Sequence, residues 1–302
     1  MNILVTGATG LVGAALVSRL TASGHRVVPL RRGAAGSAAE PTWNPETRQV
    51  HLPASVSLDA VVHLAGENIA QRWTGAAKAR IRASRVDATR LLSEALAGLA
   101  SPPRVLVCAS ATGFYGDRGD EVLDEQSGPG TGFLAEVCQA WEAAAAPARQ
   151  RGIRVAHLRL GVVLARQGGA LAKMLPAFRL GLGGRLGGGR QYWSWITLED
   201  LLGVVERVLQ DEQVSGVVNT VAPEATTNAD FTAALARALR RPAFLPVPAF
   251  VVRGVFGEMG REALLASARV RPARLLDAGF SFRFPNLDAA FCHLLAADRD
   301  GH

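Results

Sequence analysis

A short β-branched run, Asn2 to Thr6, is followed by Gly7, Gly10 and Gly13 at intervals of three, and then by an apolar helical stretch from Leu11 to Leu20. This order predicts a buried strand, a glycine turn and a helix. Gly7 lets the chain leave the strand sharply, Gly10 removes a side chain where a phosphate would approach the backbone, and Gly13 lets the helix lie close to the strand. The helix then presents free N–H groups and the positive end of its dipole to a diphosphate. The pattern points to dinucleotide binding, with Gly7, Thr9, Gly10, Leu11, Val12 and Gly13 as contacts. Its GxxGxxG spacing is one residue wider than GxGxxG.

The first half of the chain continues to alternate. HRVVPLRR and LDAVVHLAG read as strands, a long helical stretch runs from about Gly75 to Leu99, and RVLVCAS reads as the next strand. A helix is expected from Phe133 to Arg151, then IRVAHLRLGVVL as the sixth strand with the loop after it, and SGVVNTVAP as a last strand. Strands alternating with helices imply right-handed crossovers and a parallel, doubly wound α/β sheet. From about Thr226 onward the chain is mainly helical and broken by prolines. It reads as a smaller C-terminal lobe over the strand ends, where such sheets hold ligands. The expected division is 1–225 and 226–302.

At 302 residues the chain can bury a sizeable core. No stretch has the roughly 20 uninterrupted apolar residues of a membrane span, and the N-terminus lacks a basic segment followed by an apolar leader. The reading is a cytoplasmic protein with no membrane partner. Its net charge of +7 is carried by scattered arginines, since Lys78 and Lys173 are the only lysines. No dense basic or aromatic-interleaved module points to nucleic acid. Cys108, Cys138 and Cys292 are far apart and show no CxxC spacing, so buried thiols are expected and a zinc or disulfide site is not.

TGATGLVG, LDAVVHLAG, SATGFYG, LRLGVVL and WSWITLEDL together resemble an extended short-chain dehydrogenase/reductase, the group that includes sugar-nucleotide epimerases and dehydratases. AGENIAQRW, SRVDATRLL, YGDRGDE, VNTVAPEATTNADF and GFSFRFPNLDAA are similar to an atypical epimerase-family subgroup with its own small C-terminal domain. The resemblance implies a Rossmann-type domain, a small-molecule substrate and a monomer or homodimer. It also places further cofactor contacts at Leu64, Ala65, Gly66 and Asn68 after the third main strand, at Ala109 and Ser110, and at Leu160 and Gly161.

The second strand ends in Arg31 and Arg32 instead of the acidic residue that accepts hydrogen bonds from the ribose of NAD. A guanidinium grips a 2′-phosphate with charge-assisted bonds, so the expected cofactor is NADP(H). The superfamily's proton-transfer pair is a tyrosine with a lysine four residues later on one helix face. Here Tyr115 is followed at that distance by Gly119 and Tyr192 by Ile196, so YxxxK is absent. Alignment on Trp141 and Glu142 puts Leu134 and Cys138 at the two positions. Tyr115, Ser110 and Thr112 remain as candidate catalytic hydroxyls.

Three readings stay open. The protein is an oxidoreductase or nucleotide-sugar-epimerase-like enzyme with a replacement acid or base, a reductase whose product anion needs little acid catalysis, or a non-catalytic NADPH-dependent sensor. Arg80, Arg82 and Arg85 lie on a long helix and are candidates for an anionic substrate; a solvated face accounts for Arg80 and Arg82, while Arg85 is expected to face inward. In WSWI, one tryptophan is expected in the core and the other toward a cleft.

Overall fold

A computed structural model describes residues 1–33, 40–53 and 57–296. In chain order, β1 (Asn2–Thr6), α1 (Leu11–Ala22) and β2 (Arg26–Arg32) precede a hairpin of β3 (Thr42–Asn44) and β4 (Gln49–His51). β5 (Ala60–His63) leads to α2 (Gly75–Ala83) and α3 (Val86–Ala97). β6 (Val105–Ala111) leads to a 3₁₀ turn at Thr112–Tyr115, β7 (Val122–Leu123), α4 (Phe133–Ala143) and α5 (Ala146–Gln150). There follow β8 (Arg154–Leu160), β9 (Val162–Ala165), α6 (Gly169–Arg179), β10 (Tyr192–Trp193), β11 (Trp195–Thr197), α7 (Leu198–Gln210) and β12 (Gly216–Thr220). The C-terminal part holds β13 (Thr226–Thr227), α8 (Asn228–Leu239), α9 (Ala249–Met259), a π-helical turn at Gly260–Leu265, β14 (Arg269–Val270), α10 (Ala273–Asp277) and α11 (Leu287–Leu294).

The main sheet has the order β12-β8-β6-β5-β1-β2-β3-β4 and is parallel except where β3 meets β4. The order reverses direction at β1, which lies between β2 and β5, so the crevice of a doubly wound sheet opens beyond the carboxyl end of β1. Apolar side chains from both sheet faces fill two layers. One, with Ile3, Val5, Leu16 and Leu20, packs against α7 through Leu201, Val204 and Val205. The other, with Leu4, Val61 and Leu106, packs against α3 through Ala88, Leu92 and Leu96. Among the described residues no helix is long and apolar enough to cross a membrane.

Three expected elements differ. The helix expected from Gly75 to Leu99 is broken into α2 and α3 at Ser84 and Arg85, where Ser84 Oγ donates to the Ile81 carbonyl at 3.0 Å and accepts the Glu67 N–H at 2.9 Å. Neither proline nor glycine marks this break. The helix expected from Phe133 to Arg151 is likewise divided into α4 and α5, the second starting just before Pro147. Finally, both tryptophans of WSWI are buried: residues two apart on an extended segment share a face, and Trp193 and Trp195 join one apolar cluster with Phe231 and Phe291, while Ser194 between them donates to the Ala268 carbonyl and accepts the Val270 N–H.

Two buried histidines add a pH dependence. Burial lowers the pKa of His63 and of His157 to about 4. Because the folded values lie below the unfolded value near 6.5, the unfolded chain binds more protons between those limits, and stability falls as pH falls through that window. A loss of about 2 kcal/mol per histidine is expected on going from pH 7 to pH 5. Urea unfolding at the two pH values measures it, and an unchanged free energy would contradict the assignment.

Candidate functional site

The parallel register brings the expected cofactor residues side by side. Thr6 pairs with Leu30 and with His63, His63 with Cys108, and Ala111 with Leu160. The glycine turn, Leu64 to Asn68, Ala109 to Thr112, and Leu160 with Gly161 therefore line the carboxyl edge of four neighbouring strands, with Arg31 and Arg32 at the end of β2.

Packing requires the first and third glycines. Gly7 has φ +67°, and a Cβ on it would lie 2.9 Å from the backbone of Leu64 and Ala65. A Cβ on Gly13 would lie 2.1 Å from the Gly7 carbonyl oxygen, so this position brings α1 against the turn. Gly10 differs: a Cβ there would meet only the Gly7 carbonyl, at 3.4 Å, and would otherwise project into open space. Gly10 is the N-cap of α1 and supplies no side-chain cap, so Leu11, Val12 and Gly13 keep N–H groups without intrahelical partners. Exposed Thr9 flanks them. Open space beside Gly10 before uncapped helical N–H groups fits an anion such as a diphosphate. Arg31 and Arg32 are exposed and have no carboxylate partner among the described residues, as a 2′-phosphate site requires.

Behind the turn runs a buried hydrogen-bond chain. Thr6 Oγ1 accepts the N–H groups of Leu64 and Ala65, both at 3.1 Å, so it donates its own proton to His63 Nδ1 at 2.7 Å. His63 then carries its proton on Nε2 and donates to Thr89 Oγ1 at 3.0 Å. Thr89 Oγ1 also accepts the indole N–H of Trp141 at 2.9 Å. The chain ties the glycine turn, the end of β5, α3 and α4 together. Its members lie on four separate elements, so sequence spacing does not relate them.

A second network holds two of the candidate hydroxyls. Arg159, 3% exposed, donates from Nε and Nη2 to the two carboxylate oxygens of Glu142, each at 2.8 Å, and from Nη1 to the Tyr115 hydroxyl at 2.9 Å. Its guanidinium lies 3.3 Å from the centroid of the Phe114 ring. Ser110 donates to Glu142 at 2.7 Å. Tyr115 is fully buried, and its hydroxyl lies 2.7 Å from Asn219 Oδ1 and 2.8 Å from the Asp124 carbonyl. Burial raises its pKa, against the opposing pull of Arg159. Thr112, half-buried, makes no side-chain hydrogen bond among the described residues. Arg159 escaped the sequence reading; an arginine inside the apolar strand RVAHLRL was the available signal.

Leu134 and Cys138 lie one turn apart on α4. A Cβ on Gly113 would lie 3.1 Å from Leu134 Cβ, so Leu134 packs beside the loop that carries Thr112. Cys138 is buried, and burial pushes its thiol up to about 12. The amino end of α4 is capped from the C-terminal part: Glu262 accepts the Leu134 N–H at 3.1 Å, beyond a glycine N-cap that has no side chain to offer. Lys78 on α2 pairs with Glu258 at 2.9 Å, a second tie between that part and the sheet domain. Asn68 is exposed, and its Oδ1 accepts the Ala70 N–H. Asp59 holds the start of β1 by accepting the Asn2 N–H.

The NAD dependent epimerase/dehydratase family matches residues 3–234, and a domain of unknown function, DUF1731, matches residues 247–294. The chain is 45% identical over 291 residues to epimerase family protein Mb2239 of Mycobacterium bovis, covering 95% of each chain. It is 39% identical over 302 residues to the human epimerase family protein SDR39U1, covering 98% of this chain and all of that one. A crystal structure of human SDR39U1 (isoform 2) with NADPH superposes with a TM-score of 0.89 at 38% identity, over 98% and 99% of the two chains. This chain therefore belongs to the NAD dependent epimerase/dehydratase family and carries that family's fold together with a DUF1731 C-terminal domain.

Proposed function

We propose that this protein is an NADP(H)-dependent enzyme, oxidoreductase or epimerase-like, that carries out its chemistry without a tyrosine–lysine pair. When bound, the nicotinamide supplies or accepts a hydride. The uncapped N-terminus of α1 holds the diphosphate, and Arg31 with Arg32 holds the 2′-phosphate. Ala65 and Gly66 bring the backbone after β5 to the cofactor's edge, while Ala109, Ser110, Leu160 and Gly161 line the nicotinamide side. Human SDR39U1, crystallised with NADPH, supports the choice of cofactor.

The observation that carries the catalytic reading is the commitment of Tyr115 and Ser110 to the Arg159–Glu142 network. Of the three candidate hydroxyls, Thr112 alone is free among the described residues, and an aliphatic hydroxyl is a hydrogen-bond donor at neutral pH but not an acid. This supports a substrate whose reduced form is stable without a proton delivered by the protein, such as a quinone-like acceptor.

The test is an anaerobic assay of NADPH-saturated protein, following nicotinamide absorbance against quinones, ketones, aldehydes and sugar nucleotides. Oxidation by quinones ahead of simple ketones is expected. Tight NADPH binding without turnover of any class would favour a non-catalytic sensor.

A further inference from the structure

We propose that Arg85 is an oxyanion-binding residue for a second molecule beside the cofactor, so that the substrate carries a carboxylate or phosphate on an apolar body. The inference rests on the cofactor reading above and names a substrate class for that same site.

The break between α2 and α3 places Arg85 there. Arg85 is the N-cap of α3 with φ −106° and ψ −59°, and the Ser84 hydrogen bonds pin the break to the loop after β5. Its guanidinium then lies against the backbone at the end of β5: a Cβ on Gly66 would be 3.4 Å from both Cζ and Nη2. It also stands 5.2 Å from the Trp141 ring centroid, and its charge is felt at Cys138, one helical turn beyond Leu134. The cation therefore sits beside the loop after β5, between Gly66 and the Trp141 ring of α4.

Its bonding is incomplete. Nη1 makes two long contacts, 3.3 Å to the Ile81 carbonyl and 3.4 Å to Ser84 Oγ. Nε and Nη2 have no hydrogen-bond acceptor, and no carboxylate lies within ion-pair distance, among the described residues. Arg159 provides the contrast, with its buried guanidinium held by both oxygens of Glu142. Burial lowers the pKa of Arg85, partly offset by the Glu67 carboxylate beyond ion-pair distance, although a guanidinium stays charged. A planar fork with free N–H donors is complementary to a carboxylate or a phosphate. Nearby, Phe133 and Leu134 are partly exposed members of the apolar cluster around buried Ile81, Trp73 and Met259, and suit an apolar body on the ligand.

The test uses the full-length protein saturated with NADPH, titrated by calorimetry with benzoate and separately with inorganic phosphate, in the wild type and in Arg85→Met and Arg85→Lys. At least one probe should bind the wild type, Arg85→Met should weaken it about tenfold or more, and Arg85→Lys should weaken it less. NADPH affinity should change less than about threefold in either variant, and thermal unfolding should confirm that both fold. Which probe binds more tightly identifies the oxyanion as carboxylate or phosphate.

Absence of binding by either probe, or equal binding by wild type and Arg85→Met, overturns the proposal while leaving the cofactor reading intact. A loss of NADPH affinity in Arg85→Met as large as the loss of probe affinity also overturns it, because Arg85 would then hold the cofactor. Failure of the wild type to bind NADPH overturns both readings.

Discussion

Glu142→Ala should destabilise the protein by about 3–5 kcal/mol, the range expected when one partner of a buried ion pair is removed. Arg159 would be left 3% exposed with its Nε and Nη2 unpaired, and Ser110 would lose its acceptor. Tyr115 would keep its bond from Nη1, but from a guanidinium no longer fixed in orientation. Glu142→Gln should cost less, because an amide keeps one acceptor for the arginine. The double variant Glu142→Ala, Arg159→Leu should recover part of the loss, since the penalty comes mainly from the orphaned charge. Urea unfolding of the three variants measures the series. A single variant within about 1 kcal/mol of wild type would show that water already reaches the pair.

Arg31→Asp should weaken NADPH binding about 100-fold and NADH binding less than about threefold. Arg31 lies near the end of β2, one position beyond Leu30, which pairs with Thr6 immediately before the glycine turn, so the residue stands where an adenosine ribose would lie. Its exposure and lack of a carboxylate partner among the described residues leave the guanidinium available to a 2′-phosphate. An aspartate in its place would repel that phosphate and accept hydrogen bonds from a ribose hydroxyl. Equal losses for the two nucleotides would remove the basis for assigning the phosphate to this arginine.

The strand, turn and helix at residues 2–22 were legible in the sequence because the glycines there answer to local geometry: a positive φ at Gly7 and a backbone contact at Gly13 that no side chain can share. Alternation of strands and helices likewise gave the parallel sheet. The hairpin of β3 and β4 was not foreseen; its strands are three residues each and reside at the sheet edge, too short for an alternating pattern to show. The break at Ser84 and Arg85 was hidden for a different reason. It is held by the side chain of Ser84 reaching Glu67, 17 residues earlier, a contact that exists only after folding.

The candidate site was read in the same uneven way. The expected cofactor residues come from loops at strand ends, and the parallel register sets them side by side. The polar pairs behind them, Arg159 with Glu142 and His63 with Thr89, join residues 17 and 26 positions apart on different elements, so no local spacing marks them. At WSWI the period of two puts Trp193 and Trp195 on one face, so both enter the core, while Ser194 between them turns its hydroxyl to the backbone around β14.

Equilibrium titration of the wild-type protein with NADPH and with NADH, at one ionic strength and followed by calorimetry, is the most direct measurement of what this crevice holds. NADPH should bind at least about tenfold more tightly, as a guanidinium-held 2′-phosphate requires. Equal affinities, or no binding of either nucleotide, would contradict an NADP(H) site at the glycine turn.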